Sequence, residues 1–388
     1  MTAADDRVRV LLGRCSALKR ELADFARQPR FEEYLGPLLL QAAGPAGPAG
    51  LTEAQLVNAV DAFIMLHRFK DGSSVIDRFL QSRRDLDASD RELLLRWKDP
   101  VDGVFEIARA SGGATLLVNL LDELKYPAYA SLSQNIAELG PDIAFVAGRL
   151  VPLDDESWVI SGIVQAFTSQ MGQEIARSVM QLAAQYPWLM FRNPEKVKLG
   201  WEHMRQDRGT FIEFFGADEV VLAPQDVQGQ MKAYQQWRRE KTPAADPALG
   251  DLPDTEVSFE LPDPFFEHDT AGLVYDETDG LMFLPGYGTL RELFEHPELA
   301  ADGWYADALR GYLESDSIKP APLRRLAARY SANADTVFAK VLGKPSFTWT
   351  AKGDALLRKH KPWYFRREPL PPIAMISDRV RAIMLEAS

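Results

Sequence analysis

VDGVFEIARASGGATLLVNLLDELKYPAYASL, residues 101–132, is the stretch that decides the fold. Valine, leucine, isoleucine and aromatic residues crowd short runs here, and Ser111-Gly112-Gly113 separates two of them. Such residues suit a pleated, half-buried surface, and glycine reaches positive φ cheaply, so a hairpin is expected at that turn. The texture continues in DIAFVAGRLVPL (142–153) and ESWVISGIVQAF (156–167). Five short strands in about seventy residues predict a small antiparallel barrel or curled sheet, with Gly148 and Gly162 marking bends.

On either side the apolar period becomes helical. Val8, Leu11, Cys15, Leu18, Leu22 and Phe25 recur at spacings of three and four and form one stripe. Cys15 lies inside that stripe and reads as a buried small hydrophobe rather than a reactive thiol. GPAGPAG (Gly44 to Gly50) reads as a linker. Thr52 with Gln55 makes a capping box ahead of a helix through Leu56, Val60 and Phe63, and Ser89 with Glu92 makes a second ahead of ELLLRW. After the strands, Met171, Ile175, Val179, Leu182 and Tyr186 line another helix. Further helices are expected over Pro194 to Arg205 and from Pro224 through Val227, Met231 and Tyr234. TPAADPALGDLPD (Thr242 to Asp254) is the strongest linker, and a hairpin around Asp276–Gly280 precedes several helices. The expected fold class is α+β, mainly helical. It comprises a helical N-terminal unit (1–98), a small antiparallel β module (99–168), a helical connector (169–241), a linker (242–256) and an α+β C-terminal unit (257–388).

Composition bounds the function. A chain of 388 residues with 46% hydrophobic and 26% charged residues matches a folded, soluble protein of more than one unit. A net charge of −12 disfavours general binding to nucleic acid or anionic membranes. One cysteine permits neither an intrachain disulfide nor a thiolate zinc cluster, which fits a reducing compartment. MTAADDRVRV lacks the layout of a signal peptide, and no apolar run reaches the length of a membrane span, so a cytoplasmic location and no membrane partner are expected.

ELLLRWKDPVDGVFEI, VNLLDELKYPAY, FVAGRLVPLDDESWVISG and FIEFFGADEVV resemble stretches of uncharacterised bacterial proteins in which helices precede a small β-rich module. The resemblance spans about residues 88 to 222. It implies that arrangement of elements and no activity, cofactor or site residue.

Three constellations bear on chemistry. In LVYDETDGLMF, Asp276, Glu277 and Asp279 crowd a short loop that would suit a divalent metal and water activation, although Asp-Gly is also an ordinary turn. LPGYGTLRELF places two glycines before a helix, where backbone N–H groups can meet a phosphate; a Thr289–Glu292 capping box explains the same letters without a ligand. His203 and Asp207 share a helical face with Glu213 as a conceivable third ligand, against an ordinary polar pair, and His67 reads as a satisfied, partly buried imidazole. HExxH, GxSxG, the P-loop and the full dinucleotide fingerprint are absent, so no cofactor is expected.

Charge is segregated along the chain. Asp251 to Asp302 holds fourteen acidic residues and one basic, Arg291, a net of −13. Lys344 to Arg367 holds seven basic residues and one acidic, Asp354, a net of +6. The basic segment also carries Trp349, Trp363, Tyr364 and Phe365. It docks on the acidic segment, or stacks nucleic-acid bases, or solvates its charges while the aromatics enter the core. Candidate binding residues are Lys352, Arg358, Lys359, Trp363, Tyr364, Arg366 and Arg367. The expected function is that of a non-catalytic binding or regulatory protein with an unidentified protein partner. Nucleic-acid binding through 344–367 and a metal-dependent hydrolase built on Asp276, Glu277 and Asp279 are the alternatives.

Overall fold

The N-terminal stripe forms α1 (Ala3–Ala26), with Cys15, Leu18, Leu22 and Phe25 buried. This computed structural model describes residues 3–386 apart from 45–46, 48–49, 112, 131–138, 242–260 and 367. The expected linker at 242–256, Gly112 of the hairpin turn and most of GPAGPAG therefore lie outside the described residues. The chain is α+β and folds into two compact units, Met1–Ala183 with Ile376–Ser388, and Ala184–Met375.

In the first unit α1 packs with α2 (Glu32–Ala43), α3 (Glu53–Leu66), α4 (Val75–Ser82) and α5 (Ala88–Arg96). The Thr52–Gln55 capping box opens α3. The box expected at Ser89 does not form: Asp87 caps α5, its Oδ1 accepting from the Asp90 N–H at 2.8 Å. A carboxylate two residues earlier is the better acceptor beside the positive helix end, and Ser89 donates to it instead.

Five strands follow: β1 (Val101–Ser111), β2 (Ala114–Asn119), β3 (Lys125–Tyr129), β4 (Ile143–Pro152) and β5 (Trp158–Thr168). They close into a barrel in the order β1-β2-β3-β5-β4, filled by Phe105, Leu117, Tyr126, Val146, Leu150 and Ile160. Closure uses a short parallel pairing of β3 with β5, so the barrel is mixed rather than wholly antiparallel. This connectivity is that of an OB-type barrel. Val151, Leu153 and Val159 leave the barrel to join the helical core, so helices and barrel share apolar burial. After α6 (Gly172–Gln185), the chain returns to this unit as α14 (Asp378–Glu386), where Arg379 pairs with Glu106 on β1.

Helix and barrel lock at Gly162. Its φ is +77°, and a Cβ there would lie 2.5 Å from Asn58 Oδ1. The close approach lets the Asn58 amide pair with both backbone groups of Ile163, at 2.9 and 2.7 Å. One turn on, Asp61 accepts from Ser161 and from Arg149, whose Nε lies 2.8 Å from Asp102. We expect Gly162→Ala to cost more than about 2 kcal/mol in thermal or urea unfolding, since it combines a left-handed backbone with a clash. Asn58→Ala should cost less, about 1–2 kcal/mol.

The second unit contains α7 (Pro194–Phe215), β6 (Glu219–Leu222), α8 (Val227–Lys241), β7 (Ala271–Asp276) and β8 (Gly280–Pro285). The helices α9 (Tyr287–Glu295), α10 (Gly303–Glu314), α11 (Ala321–Arg329), α12 (Ser331–Val341) and α13 (Trp349–His360) complete it. The sheet order is β6-β7-β8, with the expected hairpin pairing Asp276 to Gly280. The capping box expected at Thr289 is overturned: the cap of α9 is Gly286, three residues earlier and at φ +66°, and Thr289 is a buried residue inside the helix. Glu292 instead accepts from the Tyr305 hydroxyl, and the Gly288 N–H is already taken by Thr270 Oγ1 at 3.0 Å.

At the head of β6, Asp218 and Glu219 face Arg208, Arg291, Arg325 and Arg329. Burial pushes both carboxyls up, but Arg325 with Arg208, and Arg329 with Arg325, outweigh it and hold both below the ordinary range. A depressed folded-state pKa means that the unfolded chain takes up protons first. The stability these groups contribute is therefore present above about pH 5 and falls as pH drops. Melting temperatures measured from pH 7 to 3 should fall less steeply in Glu219→Gln, whose stability at pH 7 is already reduced.

Candidate functional site: a basic aromatic cleft

The chain leaving α13 turns through Trp363, Tyr364 and Phe365 and then lays Pro371 and Pro372 against the second unit. Gly200 makes this possible: a Cβ there would lie 2.8 Å from Pro371 Cγ. Phe365 packs against the unit's main core, while Arg358 and Arg324 lie against its ring at 4.5 and 5.4 Å. Both guanidinium groups also bond to Asp354, each at 2.7 Å. One carboxylate and one ring thus hold two arginines from different helices.

The result is a cleft of about 810 Å³, whose lining includes Asp279, Lys319, Arg324, Arg358, Trp363 and Arg366. Tyr364 fixes its base, donating to Asp279 at 3.3 Å, while Lys319 donates to the Asp279 carbonyl at 3.1 Å and lies 3.4 Å from its carboxylate. Burial raises the Asp279 carboxyl above its ordinary value, against the pull of Lys319 and Tyr364. Two donors are left over. Trp363 Nε1 is buried without a hydrogen-bond partner, and exposed Arg366 pairs with no described residue. Beyond Thr278 and Pro369 lies a second hollow of about 420 Å³, lined by Trp201, Arg205 and Arg208, whose Nε is also buried and unpaired.

Of the candidate binding residues, Arg358, Trp363, Tyr364 and Arg366 meet in this cleft. Lys352 is exposed on α13 with Nζ on the Ser346 carbonyl, Lys359 is exposed outside the lining, and Arg367 lies outside the described residues. Lys361, counted in sequence with the solvated charges, is wholly buried with Nζ on the Ser315 carbonyl at 2.8 Å. Lys319 and Arg324 escaped the sequence reading. The signal was the run KPAPLRR at 319–325, basic on both sides of two prolines.

The acidic loop divides its carboxylates. Asp276 accepts from the Thr278 and Asp279 N–H groups, Glu277 lies 3.8 Å from Arg208, and Asp279 faces Tyr364 and Lys319. Asp207 pairs with Arg238 and Glu213 with Lys241. No group of three or more His, Cys, Asp or Glu is placed to hold a metal among the described residues. His67 departs from expectation: its ring packs among Tyr34, Phe63 and Phe69, but Nε2 is buried and unpaired, and burial lowers its pKa. Burial also pushes the Cys15 thiol up to about 11, which leaves it unreactive at neutral pH. Among the described residues no helix is long and apolar enough to cross a membrane.

Comparison with family models, curated proteins and solved structures gives no significant match.

The Asp279–Tyr364 contact anchors the aromatic segment, and its worth is measurable. In a double-mutant cycle of Asp279→Ala and Tyr364→Phe, we expect each single change to lower stability and the coupling to be about 0.5–1.5 kcal/mol. Additive losses would show that the segment is held elsewhere.

Proposed function

We propose that this is a non-catalytic, cytoplasmic binding protein of bacterial type, and that the cleft of its second unit takes an acidic, partly apolar segment of a protein partner. The charge balance supports this reading. Lys319 faces Asp279, Arg324 and Arg358 share Asp354, and Arg366 has no partner among the described residues. With Glu368 also in its lining, the cleft keeps one surplus cation, which suits a ligand carrying one or two carboxylates. It suits a polyanion poorly, because affinity for phosphate backbones grows with the number of cations they engage. Trp363, Leu370 and Pro369 supply apolar wall. The second hollow beyond Thr278 extends the surface to the reach of a peptide.

The aromatic geometry weighs against nucleic acid. Trp363 and Tyr364 meet edge to face at 87°, as do Tyr364 and Phe365 at 81°, and two arginines already lie on Phe365. Base stacking needs open, successive faces. The described outward faces of β2 and β3 offer Leu116, Val118 and Pro127 with one cation, Lys125, and the aromatic on that face, Tyr129, packs against the helical core.

The reading is tested by selecting displayed peptides of about twelve residues on the full chain. We expect enrichment of Asp or Glu beside Leu, Phe or Trp. Arg366→Glu with Trp363→Ala should weaken a selected peptide by about tenfold or more. Selection of basic peptides, or unchanged binding in the double variant, refutes it. So does tighter binding of a single-stranded oligonucleotide with a steep salt dependence that Lys359→Glu with Arg366→Glu abolishes.

A further inference from the structure

A second hollow in the Ala184–Met375 unit has the opposite character. It measures about 380 Å³ and lies between α10 and the turn that leads into α9. Trp304, Asp307, Ala308, Gly311 and Tyr312 form one stripe of α10 along it, and Pro285, Gly286 and Ile318 complete an apolar floor. The Tyr312 hydroxyl donates to the Pro285 carbonyl at 2.8 Å and fixes that floor. Gly311 keeps the hollow open, since a Cβ there would meet nothing within 4 Å.

Three observations point to a ligand. Trp304 stands 56% exposed at the mouth, an unusual position for so large an apolar ring. Asp269 lines the hollow without a partner among the described residues, while Asp307 is held by Arg310 at 2.7 Å. Thr289 lines it too. It is only 9% exposed, and its hydroxyl makes no hydrogen bond to any described residue. The oxygen itself is open to the hollow, where an entering N–H donor can reach it. An indole face, a free carboxylate and a hydroxyl around an apolar floor complement an alkylammonium. The ring attracts the cation, the carboxylate balances it, and the hydroxyl accepts its N–H.

We infer that this hollow is a binding site for a small organic cation of the alkylammonium class, held by Trp304, Asp269 and Thr289. Its lining shares no residue with that of the acidic-segment cleft. The excess of acidic over basic side chains among the described residues 261–302 draws such a ligand to this part of the chain.

The test uses full-length protein carrying 5-fluorotryptophan, with the Trp304 fluorine resonance assigned through Trp304→Phe. n-Butylammonium chloride should shift that resonance saturably. Asp269→Asn should weaken binding by about tenfold, as should Gly311→Leu, which fills the hollow. Both positions tolerate substitution, one being exposed and the other facing open space, and unchanged melting would show that the fold persists. A free amine and a lysine side chain share this chemistry, so N-acetyl-lysine methylamide is titrated in parallel. Tighter binding of either upholds the site and assigns its source. An equal, saturable shift with neutral n-pentanol, no saturation with either cation, or full affinity in Asp269→Asn overturns the proposal.

Discussion

Glu219 is a carboxylate whose side chain is 4% exposed, held by guanidinium groups from α9 and α11 and by the Tyr287 hydroxyl. An isolated buried charge would be too costly to keep, so the position exists only because Arg325 and Arg329 converge on it. That convergence fixes the rotation of α11 about its axis. Successive helical residues point about 100° apart, so turning Arg325 inward to Glu219 turns Arg324 outward to Asp354 and Phe365. The cleft therefore inherits its geometry from a buried ion cluster at the sheet edge. The cluster is more a device for orientation than a source of net stability, because desolvation of its charges consumes much of their attraction.

Much of the fold was legible because it depends on local chemistry. The barrel strands announced themselves by β-branched runs and turn glycines, and the Thr52–Gln55 box by its spacing. The parallel contact of β3 with β5 was not legible, since it joins residues thirty apart whose pairing leaves no local trace. The two capping boxes that failed share one cause. Asp87 and Gly286 start their helices two and three residues ahead of the apparent box, through a charged acceptor in one case and a left-handed backbone in the other. Spacing identifies a box only where no stronger start precedes it.

The site was legible in half. Aromatic and basic letters singled out Arg358, Trp363, Tyr364 and Arg366, but charge counting could not reveal which cations were already balanced. The segment's formal surplus of +6 is not what its surface presents, because Lys361 enters the core, while Asp354, already counted, is shared with Arg324 from outside the segment. The acidic segment was expected as a counterpart for the basic one. Among the described residues its contribution to the cleft is Asp279, through Tyr364 rather than through any basic residue of the tail. Complementary net charges in sequence thus say little about which side chains meet, since each carboxylate pairs with whichever cation the backbone brings within reach.

Lys361 joins the two hollows. Its ammonium is wholly buried on the Ser315 carbonyl, Ser315 lines the hollow at Trp304, and Trp363 of the cleft lies two residues beyond it. Burial lowers the Lys361 pKa, with Asp316 opposing, so the charge is kept at a cost that a packed methionine would avoid. A neutral side chain would fill the same space but would leave the end of α10 and the start of the aromatic turn without a common anchor. This charge-assisted hydrogen bond, added to the core that Leu313, Leu357 and Phe365 share, is worth about 1.5–3 kcal/mol. That value is also the largest coupling that can pass through it, because a ligand shifts an equilibrium only by its differential interaction with the two states.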